Sequence, residues 1–341
     1  MSIRRSQSIA LEVKSAAVRL RQLLIVAGRV VQAERDEHEW GLAGVGNRLG
    51  VCVVEVAVVT DSTGYLPGAL VDSLGITVVS LYYDVGTGPL RESEFDGDFG
   101  RFYAELDASK SVATTEPPTV EDFVVVFERL LRQHNAVVSV LISSGISETC
   151  SMARQAAARL EAEGRGGERV VVIDSAGAGG QLGVQALAAA RAAAAGEDGS
   201  EVIAGTRRAR QEVRQWFLVD TLEYLRRGGR IGSAAAWIGS ALDLKPILMV
   251  ESEIKAFERV RTHRRGVERL IELMRQRRSL GADRWFVQHA YAHEDAKRLA
   301  ERLAELFGTE PEFVSELGPV LATHLGPGAL VVGGLPGAVL R

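Results

Sequence analysis

VCVVEVAVVTDSTGYLP, residues 51–67, is a β-branched apolar run that stops at once in Asp61-Ser62-Thr63-Gly64, with Pro67 close behind. A short run of this kind bounded by turn residues reads as a buried strand, and the polar turn after it as a helix start. The same punctuation recurs: ITVVSLYY (76–83), VVSVLI (137–142) and VVVI (170–173) read as strands, the last two running into Ser143-Ser144-Gly145 and Asp174-Ser175. Helical patterns at 99–106, 120–133 and 182–195, and one beginning near Ser147, fall between or after them, and Pro117-Pro118 breaks the chain before the second. Strands alternating with helices predict an α/β fold with a largely parallel sheet covered by helices on both faces.

The second half changes character. Strands are expected at 216–219, 245–250, 254–259, 285–289 and 329–332, the second and third as a hairpin, which predicts a mixed sheet. Helices are expected at 221–227, ending at Gly228-Gly229, at 233–242 (rich in small residues), at 264–277 and at 294–307. A boundary between 207 and 216 divides the chain into an extension and linker (1–52), an N-terminal α/β domain (53–210) and a C-terminal α/β domain (211–341). In the extension, Leu20, Leu23, Leu24, Val26 and Val30-Val31 suggest an amphipathic helix that packs on the protein or forms an optional addition, with a place on a membrane surface as the alternative. Charged residues interrupt it, so it has no signal-peptide core.

The 341 residues carry 40 Lys+Arg against 44 Asp+Glu, a net charge of −4, with 46% hydrophobic residues. That balance speaks against a nucleic-acid partner, which shows as a strongly basic domain, and the composition against a disordered chain. No apolar stretch reaches membrane-spanning length. Cys52 and Cys150 form neither a disulfide framework nor a CxxC, which favours a reducing cytoplasm.

Polar groups gather at strand ends: Asp61-Ser62-Thr63, Ser143-Ser144, Asp174-Ser175 and His289. In open α/β sheets ligands bind outside the carboxyl ends of strands, and helix N-termini there favour anions. Several sharper motifs fail. Gly177–Gly183 is glycine-rich, but Leu182 occupies the last position of a GxGxxG, so close helix–strand packing explains these glycines better. There is no GxxxxGK[ST] and no GxSxG. His289 and His293 stand four apart, yet nothing completes a metal site. Arg230 after Gly228-Gly229, and Arg259, Arg261, Arg264 and Arg265 beyond it, form a solvated basic face or a dock for an acidic or phosphate-carrying partner.

Taken together, VVTDSTGYLP (58–67), TEPPTVEDF (115–123), SSGISETCSMA (143–153), VIDSAGAGGQLG (172–183), YLRRGGRIGSAAAWIGSALDLKPIL (224–248), VQHAYAHEDA (287–296) and ELGPVLATHLGPGAL (316–330) resemble the DegV family of fatty-acid-binding proteins, the lipid-carrying B subunit of bacterial fatty-acid kinase. The resemblance implies two α/β domains with one long-chain fatty acid, such as palmitate, stearate or oleate, in a tunnel between them. It implies no catalytic residues, no metal and no cofactor. Its carboxylate-holding residues correspond to Thr115, to Ser144 or Ser147, and to His289. Asp61, Ser62, Thr63, Ser143 and His324 would support or line the pocket, and Arg230 and Arg261 would face the acyl phosphate and the ATP-binding kinase subunit. This chain departs from the pattern at Glu116-Pro117, in place of Ser-Gln, at Glu148, in place of Gly, at Tyr65 and at Ser252-Glu253. Glu148 sets a carboxylate beside the proposed anion site. The expected function is a cytoplasmic carrier that presents the carboxylate for phosphorylation. The alternative is a stand-alone phosphotransferase or hydrolase acting on a small or lipidic acid.

Overall fold

The computed structural model describes residues 56–108, 113–237 and 244–341, all within one unit. Seven strands come from the first part of this body: β1 (Val56–Asp61), β2 (Thr77–Val79), β3 (Tyr82–Asp84), β4 (Leu90–Arg91), β5 (Thr114–Glu116), β6 (Ala136–Leu141) and β7 (Val170–Asp174). Six follow: β8 (Arg214–Leu218), β9 (Lys245–Glu251), β10 (Glu253–Val260), β11 (Arg284–His289), β12 (Phe313–Glu316) and β13 (Leu330–Leu335).

A parallel sheet runs β2-β1-β6-β7. All residues of β1 and β6 are buried, because helices cover both faces. Alternation along the strands sorts the side chains. Val59, Val137 and Leu141 pack with Phe123 and Phe127 of helix Val120–Leu131 and with Ala153 and Leu160 of helix Thr149–Ala162. Val58, Val138 and Val140 pack with Leu182 and Leu187 of helix Gly180–Ala194 on the other face. Thr119 starts the first of these helices with a capping box, its hydroxyl accepting from Asp122 N–H and the Asp122 carboxylate accepting from Thr119 N–H.

The second sheet runs β10-β9-β8-β13-β11-β12, antiparallel except for the β11–β12 pair. Helices His263–Ser279 and His293–Phe307 cover its outer face through Leu270, Met274, Leu299 and Leu303. Its inner face presents Phe217, Phe286 and Val331 to the core that also holds Leu182 and Leu187. Helix Gly180–Ala194 is therefore shared between the sheets, and nearly all of it is buried. Gly180 and Gly183 make this closeness achievable. A Cβ on Gly180 would overlap the Phe286 ring, and one on Gly183 would press on Gly64 O at 3.1 Å.

A small antiparallel sheet, β4-β3-β5, completes the strands. It corrects the single strand expected at 76–83. That run divides at Ser80-Leu81, where Leu81 N–H donates to Ser62 Oγ at 3.1 Å and Ser93 N–H to Ser80 Oγ at 2.9 Å. These bonds turn β3 out of the parallel sheet to pair with β5. β12 and helix Pro319–Leu325 were not read from the sequence. The helix expected at 233–242 is a 3-10 segment over Gly232–Trp237, and 238–243, like the amphipathic reading of the extension, lies outside the described residues. No helix of the described residues is long and apolar enough to cross a membrane.

Candidate functional site

A cavity of about 580 Å³ opens where the two sheets face each other. The loops after β6 and β7 supply Ser144–Glu148, Ala178 and Gly179, at the carboxyl ends of parallel strands. The mixed sheet supplies Phe217, Val250 and Val331, and Leu81, Leu225, Leu317 and Val320 add to a mainly apolar wall. One buried amide interrupts that wall. Gln215 accepts from Gln181 N–H at 2.8 Å and donates to Ala178 O at 3.1 Å, so it ties the start of helix Gly180–Ala194 to β8.

β5 and helix Pro319–Leu325 bring polar groups to the wall. Thr115 Oγ1 lies 2.8 Å from His324 Nε2, and both residues line the cavity. His324 is 7% exposed, and burial, with Arg230 nearby, pushes its imidazole down to about 4. Its Nδ1 has no hydrogen-bond partner among the described residues. We assign the proton to Nε2, which leaves Nδ1 a bare acceptor instead of an N–H without a partner. Nε2–H then donates to Thr115, and the Thr115 hydroxyl hydrogen is left to donate into the cavity.

The serine loop is similarly decided by counting hydrogens. Ser143 donates to Ser252 O at 2.6 Å, and Ser144 donates to Asp174. Ser147 and Thr149 share one hydrogen bond of 2.8 Å between two hydroxyls, so one hydrogen of that pair stays uncommitted. Ser147 lines the cavity and stands just before helix Thr149–Ala162. Arg230 is on the same wall and donates to Gly228 O at 2.9 Å and Ile146 O at 3.4 Å.

The structure therefore brings together Thr115, Ser144, Ser147, Arg230 and His324. It places the others elsewhere. His289 ends β11, 4% exposed, on a separate groove of about 660 Å³ with His293 and Glu316. Its Nδ1 accepts from Ala292 N–H at 3.4 Å and lies 3.8 Å from Glu316 Oε1, and burial pushes the imidazole down to about 4. Asp61 is a buried tie between strand ends, accepting from Thr63 N–H at 3.0 Å, Thr63 Oγ1 at 2.5 Å and Ile142 N–H at 2.6 Å. Burial raises its carboxyl to about 6. Ser62, with Asp61, lines a third cavity, of about 740 Å³. Arg261 is exposed just beyond β10. Among the described residues no group of His, Cys, Asp and Glu could hold a metal ion.

Gly228 is a site residue that the sequence reading treated only as a helix stop. A Cβ there would overlap Nδ1 of His324, so the glycine makes room for the imidazole. The Gly228-Gly229 pair was the available signal, and only the fold shows which ring it faces.

Protein DegV of Bacillus subtilis is 35% identical over 280 residues, 81% of this chain and 98% of that protein. Its crystal structure, described as that of a fatty acid binding protein, superposes with a TM-score of 0.73 at 33% identity, covering 83% of this chain and 99% of the other. A structure on fatty acid binding by a DegV family protein from Thermus thermophilus gives a TM-score of 0.73 at 31% identity, with coverage of 83% and 99%. The family described as "Uncharacterised protein, DegV family" matches residues 55–336, which span both sheets and the cavity between them, and the chain belongs to that family.

Proposed function

We propose that this chain is a cytoplasmic carrier that binds one long-chain fatty acid, such as palmitate, stearate or oleate, and presents its carboxylate to the ATP-binding subunit of a fatty-acid kinase. The carrying observation is the Thr115–His324 pair in the wall of a mainly apolar cavity of about 580 Å³. We read the two sheets as two domains, 53–210 and 211–341, with the acyl chain between them. Each buried methylene contributes about 0.8 kcal/mol, offset by the lost freedom of the chain and of the whole ligand. The tail thus supplies affinity, and the head-group contacts fix direction. The carboxylate needs donors to leave water. The free hydrogens of Thr115 and of the Ser147–Thr149 pair are suitable ones, and the N-terminus of helix Thr149–Ala162 adds a favourable field. In this reading His324, rather than His289, is the imidazole behind the head group, Arg230 stands beside it, and exposed Arg261 is open to the kinase.

A hydroxyl 2.8 Å from an imidazole is also the geometry of a nucleophile and its base. Two features favour the carrier. Nδ1 of His324 has no orienting partner among the described residues. An imidazole pushed down to about 4 takes up a proton poorly near neutral pH.

Mass spectrometry of the purified protein, intact and then after denaturation and solvent extraction, tests the carrier. One fatty acid per chain, lost from the Thr115→Ala/His324→Ala variant, is the expected result. A protein that arrives empty and takes up neither palmitate nor oleate overturns it. Acyl phosphorylation by a purified kinase subunit with ATP, dependent on this chain, tests the partner; ester or phosphate turnover by the chain alone favours the enzyme instead.

A further inference from the structure

Helix Pro319–Leu325 has seven residues and carries His324 in its last turn. So short a helix does not hold itself in water, and its first N–H groups need acceptors from outside. Gly318, at the N-cap, has no side chain to offer. The acceptors come from residues 228 and 256 positions away in the chain: Val320 N–H donates to Glu92 Oε1 at 2.8 Å and Leu321 N–H to the Tyr65 hydroxyl at 3.0 Å. Ala322 N–H bonds to Gly318 O at 2.9 Å, and Pro319 has no N–H, so the first turn is fully satisfied. Tyr65 in turn donates to Glu92 Oε1 at 2.7 Å, which joins the two acceptors into one unit. Burial, and then the Glu92 carboxyl beside it, keep the phenol protonated and therefore a donor.

Two further features single out this unit. Tyr65 holds a left-handed backbone conformation, φ 46° and ψ 42°, that a bulky side chain rarely adopts, and it does so at a position where the chain departs from the family's sequence pattern. Gly318 is constrained by the same pair: a Cβ there would stand 2.7 Å from both Glu92 Oε1 and Tyr65 Cε1. Tyr65 and Glu92 line the cavity of about 740 Å³, as do Gly318 and Pro319. Val320, Leu321, His324 and Leu325 line the other one, with Thr115. The helix therefore stands between Tyr65 and Glu92 on one side and the ligand cavity on the other. We propose that Tyr65 and Glu92 are positioning residues for fatty-acid binding: they fix the first turn of helix Pro319–Leu325 and thereby hold His324 2.8 Å from Thr115. This rests on the fatty-acid reading above and adds to it two residues that stand outside the cavity.

The test is a cycle of variants of the full-length protein, read as palmitate affinity by displacement of a fluorescent fatty acid, with folding checked by circular dichroism. Tyr65→Phe keeps the ring and removes the acceptor of Leu321 N–H, and it should weaken palmitate binding about fivefold. In the His324→Ala background the same change should cost less than about twofold, because the residue it positions is gone. A general loss of stability would carry into both backgrounds. Glu92→Ala should weaken binding to a similar extent, and Glu92→Gln, which keeps an oxygen for Val320 N–H, should restore most of it. Palmitate bound equally by the native protein, Tyr65→Phe and Glu92→Ala overturns the inference alone, as does a Tyr65→Phe loss of the same size with and without His324. If Tyr65→Phe does not fold, Glu92→Ala and Glu92→Gln in the two backgrounds decide in its place. A native protein that binds no palmitate overturns the fatty-acid reading and the inference with it.

Discussion

Gly228 lies so close to the imidazole of His324 that no side chain fits between them: a Cβ at position 228 would overlap Nδ1. The backbone there is ordinary, with φ of −76°, so the glycine is required by its neighbour and not by its own conformation. Gly228→Ala should therefore displace His324 from Thr115 and weaken palmitate binding by about tenfold, the cost of one lost polar contact. Gly68→Ala, with nothing within 4 Å of its Cβ, should leave binding unchanged. Equal affinities for both variants in a fluorescence titration would show that the imidazole does not serve the ligand.

The two buried histidines make a second contrast. His324→Ala should lower fatty-acid affinity about tenfold or more, whereas His289→Ala should leave it within about twofold, since His289 faces a different groove. Thr115→Ser keeps the hydroxyl and should bind nearly as well as the native protein; Thr115→Val should not. Isothermal titration of the four variants separates these outcomes. Loss of affinity in His289→Ala with none in His324→Ala would return the carboxylate to the end of β11.

Stability should fall on mild acidification for a reason that these rings share. Burial holds both imidazoles near 4, against an ordinary value of 6.5, so below 6.5 the unfolded chain takes up protons that the folded one refuses. This stability is fully present above pH 6.5 and is lost as pH falls toward 4. Asp61 works in the opposite direction. Its carboxyl is raised from 3.8 to about 6, so its contribution is present below 3.8 and is lost as pH rises through 6. Glu92 and Glu316, raised by burial as well, act with Asp61 and reduce the net effect; urea unfolding should show a net loss from pH 7 to pH 5 on the order of 1 kcal/mol. His289→Gln/His324→Gln should flatten or reverse that slope. An unchanged slope would mean that other groups carry it.

The sequence was informative where local pattern and tertiary role coincide. β1, β6 and β7 are apolar runs ending in polar turns, and they are three of the four strands of the parallel sheet. Thr115, Ser144 and Ser147 stand at breaks in pattern, and they meet on one cavity. His289 also stands at a strand end, but the strand that carries it, β11, pairs with β12 at the edge of the mixed sheet, and its ring lies in a different groove. That pairing depends on contacts far apart in sequence. His324, inside a short helix that no periodicity announces, reaches Thr115 across 209 positions. The division of 76–83 into two strands was hidden for a similar reason, because the bond that turns the chain comes from Ser62.

Gly180 offers a last test, of the packing that holds the two sheets on one helix. It is the first residue of helix Gly180–Ala194; in the middle of a helix, alanine in place of glycine ordinarily stabilises by about 0.5–1 kcal/mol. Here the added methyl would overlap the ring of Phe286, which is fully buried on β11 and stacks on Phe313 at 5.2 Å. Overpacking costs about 1–3 kcal/mol, so the sign should invert and Gly180→Ala should destabilise. Phe286→Leu alone should also destabilise, since it vacates core volume. The double variant should be more stable than the sum of the two effects predicts, because the methyl then occupies space that the ring gave up. Strict additivity in chemical denaturation would mean that the helix shifts away from the mixed sheet to admit the methyl. The cavity beside it, which depends on Gly179 and Gln215 at that same junction, would then be expected to change its ligand affinity as well.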